Sequence, residues 1–286
     1  MNDLMNKIQN NLSTFSKGQR LIAKYIIEHY DKAAFLTASK LGSTVGVSES
    51  TVVRFATELG YAGYPQLQKA LQEMIRNKLT AVQRMEVTSD RMGDQDILRS
   101  VLSSDIDKIR MTLDEIDRNS FQNAVEAILH AKNIYILGVR SSASLSGFIG
   151  FYFNLMFDNV KLIHTNSVSE IFEQILRVGE GDVVFGVSFP RYSSRTIEAM
   201  SFARSRHAQV IGLTDGPMSP LHEVADICLS MRTDMASFVD SMAAPMSVIN
   251  ALIVALGIQN REALNARFKQ LEEVWDAYSV YMNEGK

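Results

Sequence analysis

The sequence has little cysteine and no long apolar run. The single cysteine, Cys228, lies in the apolar segment ADICLSM, which excludes a disulfide framework and a cysteine-based zinc cluster within the chain. No stretch approaches the roughly 20 apolar residues of a membrane-spanning helix, and the segment MNDLMNKIQNN lacks the basic and apolar regions of a signal peptide. We therefore predict a cytoplasmic protein without membrane contact, in which Cys228 is a buried thiol in a strand.

Charge is distributed unevenly over an otherwise ordinary globular composition. The 286 residues are 46% hydrophobic and 21% charged, with a net charge of −3, which fits one or two folded domains. Residues 1–85 contain 11 Lys and Arg against 6 Asp and Glu, a charge of +5, and the remaining residues contain 18 against 26, a charge of −8. A basic N-terminal part beside an acidic remainder favours a polyanionic partner for the first part.

The hydrophobic pattern changes character along the chain. It is helical from residue 1 to about 78, and Ser16 is the expected N-cap of the helix in GQRLIAKYIIEHY. Further along, amphipathic segments alternate with short, continuous apolar runs, which is typical of a parallel sheet buried on both faces. The predicted strands are 133–138, 160–165, 182–188, 208–214 and 226–231.

The segment LTASKLGSTVGVSESTVVRFATELG contains two short helical patterns around one small turn. Gly46 follows the first helix, and Ser48 is placed to cap the second, three residues before Thr51. This spacing predicts a helix-turn-helix motif whose second helix enters a DNA major groove by its N-terminal end, with a helical bundle of no DNA role as the alternative. The residues expected to contact double-stranded DNA are Lys40, Ser48, Glu49, Ser50, Thr51, Arg54 and Tyr64.

These patterns together define the predicted fold class. It is multidomain, with an all-α helix-turn-helix domain over residues 1–78 and a linker with some helix over 79–106. Residues 107–286 form an α/β domain with a doubly wound, parallel, five-stranded sheet.

Two hydroxyl-rich segments, GVRSSASLS (138–146) and SFPRYSSRT (188–196), follow the first and third predicted strands. Ligands of open parallel sheets bind at the carboxyl ends of the strands, and serine hydroxyls with a helix N-terminus suit an anion. Ordinary serine capping is the alternative, but two such loops at non-adjacent strand ends, each with an arginine, favour a phosphate or carboxylate ligand. The expected ligand-binding residues are Arg140, Ser141, Ser142, Ser188, Arg191 and Ser193, together with Glu170 and Asp240.

Residues 133–257 resemble the sugar isomerase (SIS) domain, which binds phosphosugars. The first loop of that domain usually reads Gly-x-Gly-x-Ser; here Gly138 and Ser142 match, and Arg140 replaces the second glycine. The other loop usually reads Ser-x-Ser-Gly-x-Thr, and here Pro190 and Arg191 replace the inner Ser-Gly. Because these replacements alter the usual phosphosugar loop, an acidic sugar or another carboxylate stays open as the ligand.

The order of helix-turn-helix, linker and SIS domain resembles the RpiR/MurR family of bacterial transcriptional regulators, and GVSESTVVRFATELGYAGY is similar to the signature of that family. The resemblance implies a dimer or tetramer that binds operator DNA with an affinity set by a sugar phosphate or a related anionic sugar. The sequence shows no acid/base pair, no metal-ligand spacing and no nucleophile elbow, so we predict no enzymatic activity, no metal and no cofactor. The alternative is a sugar-phosphate isomerase, for which Glu170, His164, His222 and Asp240 are the candidate bases.

Overall fold

The computed structural model describes residues 3–75, 80–92, 96–233 and 239–281. The chain divides into two compact units, one within residues 1–100 and the other within residues 101–234 and 240–286. The described part of the first unit is helical. Its helices are α1 (Asp3–Asn10), α2 (Lys17–Glu28), α3 (Tyr30–Ala33), α4 (Ala38–Val45), α5 (Glu49–Glu58), α6 (Tyr64–Ile75) and α7 (Ala81–Met92).

The helices of the first unit enclose one apolar core. Ile22, Phe55 and Leu59 are fully buried there, and the rings of Phe15 and Phe55 lie 5.1 Å apart. The sequence pattern located α2 correctly, because Ser16 forms a complete capping box: its hydroxyl accepts from the backbone N–H of Gln19, whose side chain accepts from the backbone N–H of Ser16.

The second unit is built around a parallel sheet. It follows the two helices α8 (Ile97–Glu115) and α9 (Arg118–Leu129). The remaining elements are β1 (Ile134–Gly138), α10 (Ser142–Met156), β2 (Val160–Ile163), α11 (Val168–Ile175), β3 (Val183–Val187), α12 (Ser194–Ser205), β4 (Gln209–Thr214), α13 (Leu221–Val224), β5 (Ile227–Ser230), α14 (Ala243–Gln259) and α15 (Arg261–Ala277).

The five predicted strands form one parallel sheet in the order β2-β1-β3-β4-β5, which confirms the predicted fold class. Successive strand residues alternate between two apolar layers. Ile136 and Phe185 pack under α9, α10 and α14, whereas Tyr135 and Val184 pack under α11, α12 and α13. Covering both faces explains why the strands are continuous apolar runs rather than alternating ones.

One expectation about this sheet is wrong. The two polar loops follow β1 and β3, which are hydrogen-bonded neighbours, with Leu137 opposite Gly186 and Gly138 opposite Val187. The two strand ends were expected to be non-adjacent, because β2 lies between β1 and β3 in the chain. In the sheet, β2 pairs with one edge of β1 and β3 pairs with its other edge. The winding direction therefore reverses between β1 and β3, which is the topological switch point where open α/β sheets bind ligands.

Other sequence predictions concern the linker, the cysteine and the membrane. The predicted linker, 79–106, contains α7 and the first half of α8 in its described residues, and its role stays a prediction.

Cys228 lies in β5 as expected and is half-buried, and burial together with Asp226 raises the pKa of its thiol to about 11. No single helix of the described residues is long and apolar enough to cross a membrane, and α14 with α15 meets that condition only as a pair bent by 98°.

Candidate nucleic-acid interface and ligand pocket

The helix-turn-helix motif consists of α4, a short turn and α5. Gly46 follows α4 with φ of 75°, a left-handed conformation that glycine adopts without side-chain crowding. Ser48 then caps α5, because its hydroxyl accepts from the backbone N–H of Thr51 at 3.3 Å. Val52 and Phe55 bury the inner face of α5. The local sequence thus fixes the relative position of the two helices, as the motif predicts.

The outer face of α5 carries most of the residues expected to contact DNA. Ser48, Glu49, Ser50 and Arg54 are exposed and Thr51 is half-buried. The hydroxyl of Ser48 lies 2.9 Å from the hydroxyls of both Ser50 and Thr51, so three hydroxyls cluster at the N-terminus of this helix. Hydroxyls and free backbone N–H groups at a helix N-terminus bind phosphate oxygens, and an arginine one turn later has the reach to contact a base edge.

Lys40 is exposed on α4, and Val53 presents an exposed apolar side chain on α5. Val53 was not among the predicted contacts, because the sequence Val52-Val53 does not show which of the two apolar side chains faces the core. An apolar side chain at such a position contacts the methyl group of thymine in major-groove complexes.

The structure contradicts the expectation for Tyr64. Its side chain is only 2% exposed, and its hydroxyl donates to the backbone carbonyl of Leu36 at 2.7 Å. Burial raises the pKa of this phenol above its ordinary value. Tyr64 is therefore a core residue that connects α6 to the segment after α3, and it cannot contact a DNA backbone. A single aromatic residue after a turn carries no sequence pattern that separates packing from surface contact.

The second unit contains a pocket of about 580 Å³ at the carboxyl ends of β1 and β3. Seven of the eight expected ligand residues line it, so the fold brings together segments that are up to 100 positions apart in the chain. The described residues that line the pocket are Val139, Arg140, Ser141, Ser142, Asn166, Ser188, Phe189, Pro190, Arg191, Tyr192, Ser193, Ser194, Arg195 and Asp240. The exception among the expected residues is Glu170, which lies outside this lining.

The loop after β1 passes close to the start of α10 because Gly138 has no side chain. A Cβ atom at this position would lie 2.1 Å from the hydroxyl oxygen of Ser146 and 2.8 Å from the carbonyl oxygen of Ser142. Both distances are far inside van der Waals contact. Gly138 therefore allows the N-terminus of α10 to reach the edge of the pocket, where Arg140, Ser141 and Ser142 lie.

The two loop arginines have an unusual backbone conformation. Arg140 has φ of 57° and Arg191 has φ of 63°. Crowding between Cβ and the backbone disfavours this left-handed region by about 1–2 kcal/mol for a residue other than glycine. Both arginines occupy positions where the SIS loops usually have glycine, so the loops keep a glycine-like backbone and gain a guanidinium group.

The helices that begin at this pocket, α10 and α12, have no side-chain cap, and the same holds for α11, α13, α14 and α15 of this unit. Ser16, Thr37 and Ser48 each cap their helix through a side-chain hydrogen bond. Ser141 before α10 and Ser193 before α12 form no such bond. In α10 the backbone N–H groups of Ser142 and Ala143 donate to the carbonyl oxygens of Val139 and Arg140 at 3.2 and 3.1 Å. Both helices therefore begin at the edge of the pocket without a capping side chain.

A buried hydrogen-bond network holds the loop after β3. The hydroxyl of Tyr192 donates to Asp215 at 2.7 Å, and the hydroxyl of Thr214 donates to the backbone carbonyl of Ser188 at 2.9 Å. The hydroxyl of Ser188 accepts from the backbone N–H of Ser193 at 3.1 Å. The loop is thus tied to the end of β4, whose last residue is Thr214 and which Asp215 follows directly. Ser188 and Ser193 help to shape the loop in addition to lining the pocket.

The loop after β2 is joined to the same site. Arg195, on the first turn of α12, donates from its guanidinium group to the backbone carbonyl of Asn166. Glu170 accepts from the hydroxyl of Thr165 at 2.5 Å and is exposed at the start of α11. The expected role of Glu170 as a pocket residue is therefore not supported, because its hydrogen bond is local to its own loop.

The four candidate bases of an isomerase do not assemble into one site. Asp240 lines the pocket, but His222 lies next to Ser230 at 3.1 Å and His164 is exposed at the end of β2. Within the described part of the chain, no group of three or more histidine, cysteine, aspartate and glutamate side chains is arranged to hold a metal ion.

The sequence missed several residues of the site. Ser194 and Arg195 lie within the hydroxyl-rich segment 188–196 but were not named among the expected ligand residues. Asn166 and Asp215 follow other strands, and only the strand order brings them to this edge of the sheet. Tyr192 is an aromatic residue in a loop, and no sequence pattern shows that its hydroxyl forms a hydrogen bond with Asp215.

Comparison with known proteins agrees with both halves of this description. Residues 2–78 match the helix-turn-helix domain of the rpiR family, and residues 127–255 match the SIS domain. The chain is 23% identical to the HTH-type transcriptional regulator HexR of Pseudomonas aeruginosa, across 96% of this chain and 95% of that protein.

Two solved structures share the fold. The Vibrio vulnificus NanR protein complexed with ManNAc-6P aligns over 98% of this chain and 100% of its own, with 23% identity and a TM-score of 0.60. The sugar isomerase domain of an RpiR transcription factor from Sphaerobacter thermophilus aligns over 63% of this chain and 99% of its own, with 24% identity and a TM-score of 0.60. With the motif, the sheet and the pocket in place, the chain belongs to the RpiR family of helix-turn-helix transcriptional regulators that carry a SIS domain.

Proposed function

We propose that this regulator binds operator DNA through α5 and that a phosphosugar in the SIS pocket sets its operator affinity. The observation that supports this most strongly is the pocket at the switch point, where Arg140, Arg191 and Arg195 surround two helix N-termini without capping side chains. Such an arrangement binds a phosphate group. The NanR protein, which has the same fold, was solved with ManNAc-6P. DNA binding also places the action of the protein in the cytoplasm.

The proposed DNA contacts divide by chemistry. Ser48, Ser50 and Thr51 bind phosphate oxygens and set the register of α5 on the duplex, whereas Arg54 contacts a base edge. Lys40 neutralises a neighbouring phosphate. Since each neutralised phosphate releases a counterion, the operator affinity falls steeply with salt concentration.

The protein acts as a dimer or tetramer, since helix-turn-helix proteins bind two half-sites about one DNA turn apart. The surface that we assign to self-association is an exposed apolar stripe on α8, because large apolar side chains in such numbers on one helix mark an interaction surface. A second copy of the chain is the partner that a two-fold operator requires. The stripe consists of Ile97, Leu98, Val101, Leu102, Ile106, Ile109 and Leu113.

Effector control requires that the phosphosugar prefers one arrangement of the DNA-binding helices over another. Ligand bound at Ser142, Ser188 and Ser193 orders the two loops, and α7 and α8 lie in the chain between the pocket domain and the helix-turn-helix domain. A ligand with equal affinity for both arrangements would have no effect on DNA binding.

The test is a gel-shift titration with DNA from upstream of the gene of this protein, at several salt concentrations, with and without ManNAc-6P. Arg54→Ala is expected to abolish operator binding and to leave ligand affinity intact, whereas Ser193→Ala is expected to do the reverse. Glu58→Gln, at the other end of α5, is the matched control and retains operator binding. If wild-type protein shifts no DNA at low salt in any ligand state, the proposed function is wrong. If either variant loses both activities while still folded, the division of roles is wrong.

A further inference from the structure

Helix α8 is hydrogen-bonded to two segments that lie between β5 and α14. In the first segment, the backbone N–H of Arg232 donates to the Thr112 hydroxyl at 2.9 Å, and the guanidinium group donates two hydrogen bonds to the Glu115 carboxylate at 2.5 and 2.7 Å. In the second segment, the hydroxyl of Ser241 donates to the Asp105 carboxylate at 2.6 Å. These partners are at least 117 positions apart in the chain, and all of them belong to the second unit.

Both connections lead from α8 to the wall of the pocket. The residue before Ser241 is Asp240, which lines the pocket. The residue before Arg232 donates its backbone N–H to the carbonyl of Thr214 at 3.0 Å. The hydroxyl of Thr214 donates in turn to the carbonyl of the pocket residue Ser188. A change at either place on the wall therefore reaches α8 through a short series of bonded neighbours.

The two connections differ in strength. At Arg232, the bidentate pair with a carboxylate fixes distance and orientation together, and Thr112 beside it is buried. At Ser241, a single hydroxyl forms the bond. When this bond opens, Asp105 keeps a partner, because Nζ of Lys108 lies 3.6 Å from the Asp105 carboxylate, which is also partly exposed to solvent. Since a buried charge is costly only when it is left uncompensated, the bond at Ser241 opens at a small cost while the anchor at Arg232 holds.

Helix α8 runs without a break from Ile97 to Glu115, and the boundary between the two units of the chain falls after Ser100, inside this helix. A rigid helix carries a displacement of one end to the other. We propose that the hydrogen bond between Ser241 and Asp105 couples the pocket to α8, opening or closing with the state of the pocket wall. This inference rests on the proposed function and adds the pair of residues through which an effector acts. The effector must prefer one of the two states of this bond.

The chain offers matched variants for this bond. Ser241→Ala removes the hydroxyl and Ser241→Thr keeps it. The same hydroxyl accepts from the backbone N–H of Ala243 at 3.3 Å, so Asp105→Ala is the second variant, which breaks the connection and leaves that bond in place. Ser247→Ala is the control, because Ser247 is an exposed serine of α14 that donates to a carbonyl of its own helix. Asp240→Ala perturbs the pocket wall without any ligand.

The first measurement is hydrogen–deuterium exchange of the full-length protein by mass spectrometry, without DNA and without ligand. Ser241→Ala and Asp105→Ala should raise the exchange of amides in residues 105–115 by about threefold to tenfold, the factor that one hydrogen bond supplies. Asp240→Ala should raise it by about twofold or more, but not when Ser241→Ala is already present. Ser247→Ala should exchange as wild type does. An equal effect of Asp240→Ala with and without the Ser241 hydroxyl, or no effect in either, would overturn the inference.

The second measurement is a gel shift on operator DNA with and without ManNAc-6P, beside calorimetric titration of ManNAc-6P. In wild-type protein the ligand should change operator affinity by about fivefold or more, and in Ser241→Ala and Asp105→Ala by less than about twofold. Both variants should still bind ManNAc-6P, and Ser241→Thr and Ser247→Ala should respond as wild type does. An unchanged response in Ser241→Ala would contradict the coupling role.

The two measurements keep this inference apart from the proposed function. Wild-type protein that shifts no DNA, or whose DNA binding does not respond to ManNAc-6P, counts against the proposed function. The exchange measurement contains neither DNA nor ligand, so it still decides whether the pocket wall and α8 are coupled through this hydrogen bond.

Discussion

The hydrogen bond between Tyr192 and Asp215 gives the sharpest test of how the ligand loop is held. Tyr192→Phe removes a hydroxyl that donates at 2.7 Å to a carboxylate that is only 7% exposed. A hydrogen bond to a charged group contributes about 1.5–3 kcal/mol. This bond connects the loop after β3 to the end of β4, and it lies next to Arg191 with its unfavourable φ. The same free energy therefore holds the loop in the conformation that lines the pocket.

We expect Tyr192→Phe to lower the affinity for ManNAc-6P by roughly tenfold to a hundredfold, which is that free energy expressed as a ratio of dissociation constants. Calorimetric titration measures the affinity, and denaturant unfolding checks that the variant is folded. Asp215→Asn keeps an acceptor and should lose less than Asp215→Ala. Tyr278→Phe changes an exposed tyrosine and serves as the control. Wild-type affinity in folded Tyr192→Phe would show that the hydrogen bond does not position the loop.

Three further predictions concern other parts of the chain. Tyr64→Phe removes the hydrogen bond to the Leu36 carbonyl and should lower the free energy of unfolding by about 1 kcal/mol, measured with denaturant. The folded variant should bind operator DNA as wild type does. A loss of DNA binding without a loss of stability would restore Tyr64 as a DNA contact. The pKa of Cys228 is raised from an ordinary 9.0 to about 11. Alkylation by iodoacetamide at pH 8 should therefore be roughly a hundredfold slower than for a free thiol, and it should accelerate as the pH rises to 11. Rapid alkylation of the folded protein at pH 8 would contradict this prediction. Leu102→Glu with Leu113→Glu places charges on the exposed stripe of α8 and should shift sedimentation towards monomer; an unchanged oligomer would place the interface elsewhere.

The sequence predicted correctly those elements that are fixed by interactions between residues close together in the chain. The capping box of Ser16, the glycine at position 46 and the N-cap Ser48 each act within a few residues, and the corresponding helices were located from these patterns. The strands were predicted because both faces of the sheet are covered, which produces uninterrupted apolar runs. The two polar loops were located because hydroxyl-rich segments directly follow β1 and β3.

The tertiary structure decided what depends on contacts between distant segments. Tyr64 became a core residue because Leu36, 28 positions away, supplies a buried acceptor. The expected separation of the two loops proved wrong because β3 pairs with the inner side of β1. Tyr192 gained a structural role only because β4 ends beside it with Asp215.

The sequence by itself therefore determined the division into a helical and an α/β part, the helix-turn-helix motif and the positions of the two hydroxyl-rich loops, since helix caps, turn glycines and apolar periodicity act over a few residues. The tertiary structure alone decided which side chains meet at the pocket and that Arg140 and Arg191 adopt a left-handed backbone. Pairing between strands and the burial of single side chains depend on segments far apart in the chain, and no local pattern encodes them.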